Sequence, residues 1–247
     1  MSLLQLFGGT LATLVAGTLV GQILRHTARS EAGRRTVANM NVRIAAWWVL
    51  SSVTALALVL GAGAVCALFA AFSLLALREF LEGQARAPRS LLFAIAAMQY
   101  GLIWSRWPIV FSTLIPVAAF LAIPTWNALA GNTAHYLEYT AGQFWGLMVS
   151  TYCLSYAPAL LMLDIPGFAG RNATLLFYFL LVIQSSDILQ YVWGKLLGSR
   201  PVAPRISPNK TWEGFLGGIL TATALGAALY RATPFRPWQA AAISATV

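Results

Sequence analysis

The sequence predicts an all-α integral membrane protein, a single multi-span domain over residues 1–247 with about eight transmembrane helices and the start of a ninth. Three observations carry that prediction. Of 247 residues, 59% are hydrophobic and only 9% are charged, against about 25% charged in a soluble domain. Mean hydropathy is +0.71. Apolar runs of spanning or near-spanning length recur along the chain. The formal charge of +9 therefore does not point to nucleic acid, because no soluble basic face is available to bind it.

Taken in order, the runs are 3–24, 44–60, 62–77, 90–104, 108–124, 143–163, 173–193 and 215–230, and a further one opens near Trp238. No basic residue precedes the first run and arginines follow it, so it reads as an anchor with its amino end outside rather than a cleaved signal. Residues 44–77 could form one very long helix, but Gly61 and Gly63 at the middle suggest two short helices in a tight hairpin. Cys66 and Cys153 lie inside apolar runs, with neither disulfide nor zinc spacing. His26 and His135 have no partner at metal-ligand spacing, and the tryptophans read as interface belts.

Charge placement tests the count. With eight spans, three loops on one side hold twelve of the sixteen cations: Arg25, Arg29, Arg34, Arg35 and Arg43; Arg78, Arg86 and Arg89; Lys195, Arg200, Arg205 and Lys210. The positive-inside rule makes that side cytoplasmic. One loop, 125–142, should face the same way yet carries no Lys or Arg.

The chemistry concentrates near residue 190. Run 173–193 begins ATLLFYFLLVI and turns polar as QSSDILQYVWGK. A carboxylate inside an apolar helix costs at least ~2.5 kcal/mol and usually faces a watered or protein-lined interior. Helical spacing puts Gln184, Asp187, Tyr191 and Gly194 on one face, with Gln190 beside them. Ser185 and Ser186 fit interhelical hydrogen bonding instead. Next come Lys195, Arg200, Arg205 and Lys210, in a loop stiffened by Pro201, Pro204 and Pro208. Ser207 followed by Pro208 reads as an N-cap and first helical turn, which would offer backbone N–H groups and Lys210 to a phosphate. The glycine pattern of a P-loop is absent before either lysine.

The residues Ser186, Asp187, Tyr191, Gly194 and Lys195, then Ser207, Pro208, Lys210, Thr211, Glu213, Gly214, Gly217 and Gly218, form S-D-x-x-x-Y-x-x-G-K and S-P-x-K-T-x-E-G-x-x-G-G. This pattern resembles the phosphatidate cytidylyltransferase (CDP-diacylglycerol synthase) family over residues 186–218. Arg78-Glu79-Phe80 adds a looser likeness. The resemblance implies a nucleotidyltransferase of phospholipid biosynthesis that moves CMP from CTP to phosphatidate with Mg²⁺ as cofactor, giving CDP-diacylglycerol and pyrophosphate. It implies an enzyme of the bacterial inner membrane with its active side cytoplasmic, possible as a homodimer. Asp187 and Lys210 would be catalytic, Asp187 as a metal ligand or the group that orients one. Lys195, Arg205, Ser207, Lys210, Thr211, Glu213 and Tyr191 would bind substrate. Glu213 would either pair with Lys210 or support the metal from behind its direct ligands. Gly214 and Gly218, spaced G-x-x-x-G, suit close helix packing. Three other readings stand beside this one: a non-catalytic lipid- or nucleotide-binding homologue, a multi-helix transporter with Asp187 in an ion path, and an enzyme with another lipid acceptor such as a polyprenyl or archaeal ether phosphate.

The family's further segment, with His-Gly-Gly and an Asp-Arg-x-Asp ending, does not occur between Thr221 and Val247. Two readings follow: a C-terminally truncated chain, inactive as it stands, or a complete homologue without the segment. The run opening at Trp238 favours truncation. The expected outcome is that the encoding gene, read beyond Val247, contains both motifs; a stop codon there would refute it.

Overall fold

Backbone inside hydrocarbon must satisfy its own hydrogen bonds, and helices dominate the chain accordingly. The computed structural model describes residues 1–27, 30–82, 88–105, 107–131 and 135–246. Arg29 and Arg86, counted among the twelve cations above, lie outside them, as does Arg106. The helices are α1 (Leu3–Thr27), α2 (Glu31–Leu60), α3 (Ala62–Glu82), α4 (Arg89–Ser105), α5 (Pro108–Leu129), α6 (Tyr136–Met162), α7 (Asn172–Leu196), α8 (Trp212–Ala228) and α9 (Pro237–Ala245). Six of them, α1, α2 from Gly33, α3, α5, α6 and α7, are long and apolar enough to cross a membrane. Helices α4 and α8 are shorter, at 17 residues each.

Three boundaries differ from the sequence expectation. The polar stretch from Glu31 to Arg43, read as loop, is the first part of α2. Its Glu31 carboxylate meets Arg35 at 2.6 Å, an exposed i,i+4 pair that supports helix beyond the apolar run. The break after Leu60 falls at Gly61 alone, where φ is +102°, a conformation L side chains rarely adopt. The predicted loop 125–142 is largely helical, because α5 continues through Pro124 to Leu129 and α6 starts at Tyr136. Its missing cations are therefore those of a short connection, part of which, 132–134, lies outside the described residues. Helices α5 and α6 each contain a π-helical turn, Leu114–Ala119 and Met148–Cys153.

The chain forms two compact units. One comprises Val53–Leu163, and its core includes Leu77, Leu81, Leu92, Ile115, Ile123 and Leu147. Through this unit runs a neutral polar seam. Ser73 donates to the Ser150 carbonyl, Gln99 to the Phe111 carbonyl at 3.0 Å, and Asn127 to Gln143 Oε1 at 3.0 Å. Such pairs are how a span accommodates polar side chains.

The other unit comprises Met1–Ser52 and Asp164–Val247. Helix α2 runs antiparallel beside α1, with Trp48 Nε1 donating to Thr18 Oγ1 at 3.0 Å and Asn41 Nδ2 reaching the Gly21 carbonyl at 3.5 Å. Helix α7 packs on α8 through small residues. A Cβ on Gly214 would stand 2.8 Å from the Gln190 carbonyl oxygen and 2.9 Å from Gly194 Cα. Below, the Tyr178 hydroxyl reaches Ser244 Oγ at 2.9 Å and the Gly226 carbonyl at 3.3 Å, tying α7, α8 and α9 together. At one end of the unit the Met1 amine donates to the Arg231 carbonyl at 3.3 Å, and Arg171 donates to the Met1 and Arg231 carbonyls at 3.3 and 3.0 Å. The start of α1, the start of α7 and the end of α8 therefore share that end. The start of α2, the end of α7 and the start of α8 lie at the other.

The backbone contact at Gly214 yields a stability test. Gly214→Ala should lower stability by about 1–3 kcal/mol, because backbone on both sides of the new methyl cannot turn away. It should appear as a fall in Tm of the detergent-purified protein. Gly9→Ala, with nothing within 4 Å of the new Cβ, should leave Tm unchanged or raise it, since alanine favours helix over glycine by roughly 0.5–1 kcal/mol.

Candidate active site

Between α7 and α8 the chain folds back as a hairpin of β1 (Pro201–Ala203) and β2 (Ser207–Thr211), antiparallel with Pro201 opposite Thr211 and Ala203 opposite Ser207. This corrects the expectation that Ser207 caps a helix entered at Pro208. Arg200, Ala203 and Ser207 each precede a proline, and a residue before proline is pushed out of the α region into extended backbone. Three such steps make a strand pair of the loop. The helix begins at Trp212 instead, N-capped by Thr211, whose Oγ1 accepts from Gly214 N at 3.3 Å. Lys210 thus ends a strand rather than opening a helix.

Glu213 fastens this junction. Its carboxylate accepts from Ser199 Oγ at 2.7 Å, Ser199 N at 3.1 Å and Arg200 N at 3.2 Å. Trp212 N adds a bond to the Arg200 carbonyl at 2.9 Å. The pairing of Glu213 with Lys210 is not formed among the described residues; the carboxylate is committed to the other strand's entry. The Ser199 hydroxyl foremost, then backbone N–H groups, hold its pKa well down, from 4.5 to about 2.

The hairpin, the polar end of α7 and the start of α2 enclose a cavity of about 1140 Å³. Asp187, Tyr191 and Lys195 line it from α7, and Ser207, Lys210 and Thr211 from the hairpin. Six of the eight predicted site residues therefore meet in one space. Arg205 and Glu213 do not line it: Arg205 is exposed in the hairpin turn. Asp187 is exposed to this cavity, and no charged side chain is buried among the described residues. Gln190 lines the cavity too, and its amide donates to Ser186 Oγ at 3.2 Å.

Sequence reasoning missed the wall from α2, which contributes Asn39, Val42 and Arg43. Arg43 was counted only as a topology signal. Its guanidinium carbon lies 4.8 Å from the Tyr191 ring centroid, and Lys195 Nζ lies 6.0 Å from the same centroid. The signal that could have found it is the i,i+4 spacing of Asn39 and Arg43 directly before an apolar run.

Chemically, the cavity lining combines three cations with one carboxylate, a set suited to an anion. Arg43, Lys195 and Lys210 face Asp187 across a space open to water. Among the described residues no group of three or more His, Cys, Asp or Glu could hold a metal alone. The donor set suits a hard ion that draws most of its ligands from phosphates and water, as Mg²⁺ does.

The fold thus combines membrane-length helices with a cavity that gathers three cations beside one carboxylate. The model of the cytidylyltransferase family matches residues 41–247, and the chain belongs to that family. The resemblance carried by residues 186–218 is thereby borne out. The chain is 32% identical over 213 residues to the uncharacterized protein YnbB of Escherichia coli (strain K12), covering 86% of this chain and 71% of that one. It is 34% identical over 110 residues to the phosphatidate cytidylyltransferase of Aquifex aeolicus (strain VF5), covering 44% of this chain and 42% of that one. To that of Bacillus subtilis (strain 168) it is 37% identical over 111 residues, covering 45% and 39%. The matched stretch thus spans less than half the length of these two enzymes. No solved structure matches the chain.

The Glu213 carboxylate, with its lowered pKa, stabilises the junction fully above pH 4.5 and loses that contribution as pH falls through about 2. Carbon-13 NMR of the labelled side chain should give a midpoint near 2. Glu213→Gln should loosen the hairpin, read as faster amide exchange at Ser199 and Arg200, and remove that acid titration.

Proposed function

We propose that this site transfers CMP from CTP to a lipid phosphate, with phosphatidate as acceptor, giving CDP-diacylglycerol and pyrophosphate. The observation that carries the reading is the convergence of Asp187, Lys195 and Lys210 on one cavity, in a chain of the cytidylyltransferase family. The names of the enzymes from A. aeolicus and B. subtilis support phosphatidate as acceptor.

In the proposed reaction a phosphate oxygen of the acceptor forms a bond to the α-phosphorus of CTP. The bond from that phosphorus to the oxygen bridging to the β-phosphate breaks, and pyrophosphate leaves with the electron pair. The acceptor oxygen is already anionic, so no strong general base is needed. Catalysis then rests on bringing two anions together and neutralising charge as the transition state forms. Lys210 and Lys195 hold the triphosphate, Lys210 from the rigid end of β2 and Lys195 from the end of α7. Ser207 and Thr211 offer hydroxyls at the hairpin wall, and Tyr191 keeps the cationic side chains over its ring. Asp187, with nucleotide phosphates and water, would hold Mg²⁺, which when bound supplies further positive charge at the transferring phosphoryl group.

The proposed topology has eight spans, including α4 and α8, with the amino end outside and the cavity on the cytoplasmic side of the inner membrane. The shared end of Met1, Arg171 and Arg231 supports it. A transporter would pair polar residues across spans in two similar halves, whereas here one unit pairs neutral groups and the other holds the charged cavity.

The test is CTP-dependent formation of CDP-diacylglycerol by the purified product of the full-length gene in phosphatidate-containing micelles. Asp187→Ala and Lys210→Ala should each lower kcat/KM by roughly a hundredfold, the scale of losing one charge-stabilising group. Chelation by EDTA should abolish turnover, and Mg²⁺ should restore it. Full activity in both variants would reject the assignment.

A further inference from the structure

The cavity has room for more than a nucleotide triphosphate, and its cations are divided among separate elements of the fold. At about 1140 Å³ it exceeds the roughly 300–1,000 Å³ typical of a pocket for one small molecule. Its cations come from two walls. Lys195 and Lys210 stand on α7 and the hairpin, whereas Arg43 stands on α2. Among the described residues Arg43 enters no ion pair. Its guanidinium is instead stacked over Tyr191, 4.8 Å from the ring centroid. Stacking fixes the plane of an arginine fork and leaves its edge N–H donors free, the geometry that takes a phosphate through paired hydrogen bonds.

Arg43 is the last residue before the apolar run that opens at Ile44, where a span entered from water would begin. Asn39 lies one turn toward water on the same face, and exposed Val42 and Phe215 line the cavity nearby. A phosphate borne by a lipid arrives at that depth with acyl chains beside apolar side chains, whereas a nucleotide arrives from water.

We propose that Arg43, assisted by Asn39 and positioned by the face of Tyr191, forms the acceptor subsite for a lipid phosphate monoester, distinct from the nucleotide's lysines. This rests on the cytidylyltransferase reading above and assigns the second substrate to a wall of the same cavity.

Binding titrations on the detergent-purified protein test it without requiring turnover. The probes are dihexanoyl phosphatidate, dihexanoyl phosphatidylglycerol, inorganic phosphate and CTP, each followed by thermophoresis. Arg43→Gln should weaken phosphatidate about tenfold, the loss expected for one charge-assisted phosphate contact, while CTP affinity stays within twofold. Arg43→Lys should recover part of the loss. Tyr191→Leu should weaken phosphatidate binding much as Arg43→Gln does, because the ring holds the guanidinium. Phosphatidylglycerol and inorganic phosphate should bind far more weakly than phosphatidate. An equal fall in CTP affinity in Arg43→Gln would return Arg43 to the nucleotide and overturn the proposal, as would unchanged phosphatidate binding. Inorganic phosphate matching phosphatidate would make this a free-phosphate site. Native protein that binds CTP but not phosphatidate would sink the subsite alone; binding of neither would sink the parent reading with it.

Discussion

The site depends on one contact: the backbone of α8 touching that of α7 at Gly214 and Gly194. Because neither residue carries a side chain there, the second helix starts within van der Waals reach of the last polar turn of the first. The connection between them must therefore reverse sharply, and a hairpin rich in proline does so. Thr211 then lies against Gly194 and Gly198, the Glu213 carboxylate ties the hairpin's entry to its exit, and Lys210 is delivered to the wall facing Asp187. A helix pair spaced by larger residues would hold the same charged groups too far apart to share a ligand.

Charge in this protein is handled by exposure rather than by burial. A carboxylate on an apolar helix would be costly against acyl chains. Asp187 avoids that cost because it is exposed on a face of α7 that opens on a cavity lined by cations. The other unit solves its polar problem differently, by pairing neutral amides and hydroxyls within the core. The ionic and the neutral polar groups thus mark different tasks: binding in one place, helix association in the other.

How much could be read in advance follows from the range of the interactions involved. The stripe of Asp187, Tyr191 and Gly194 was legible because helical period alone sets it, and the apolar runs each found a helix because hydrophobicity alone sets them. Ser207 was misread because a Ser-Pro pair fits both an N-cap and an extended step, and only the pairing with β1 decides between them. Glu213 looked like a partner for Lys210 at i+3, yet its hydrogen bonds reach back to Ser199 and Arg200, fourteen and thirteen residues away. Arg43 was hidden for a similar reason: its neighbour Tyr191 is remote in sequence, so a residue of the site passed for a charge that merely sets orientation.

The brevity of α8 has a mechanical consequence. Seventeen residues rise about 26 Å, a few Å less than the roughly 30 Å of an average hydrocarbon layer. With α8 as one of the proposed spans, lipids around it would stretch less, and the membrane surface would dimple beside the hairpin. Headgroups drawn into such a depression would approach the cavity without any lipid being lifted from its leaflet.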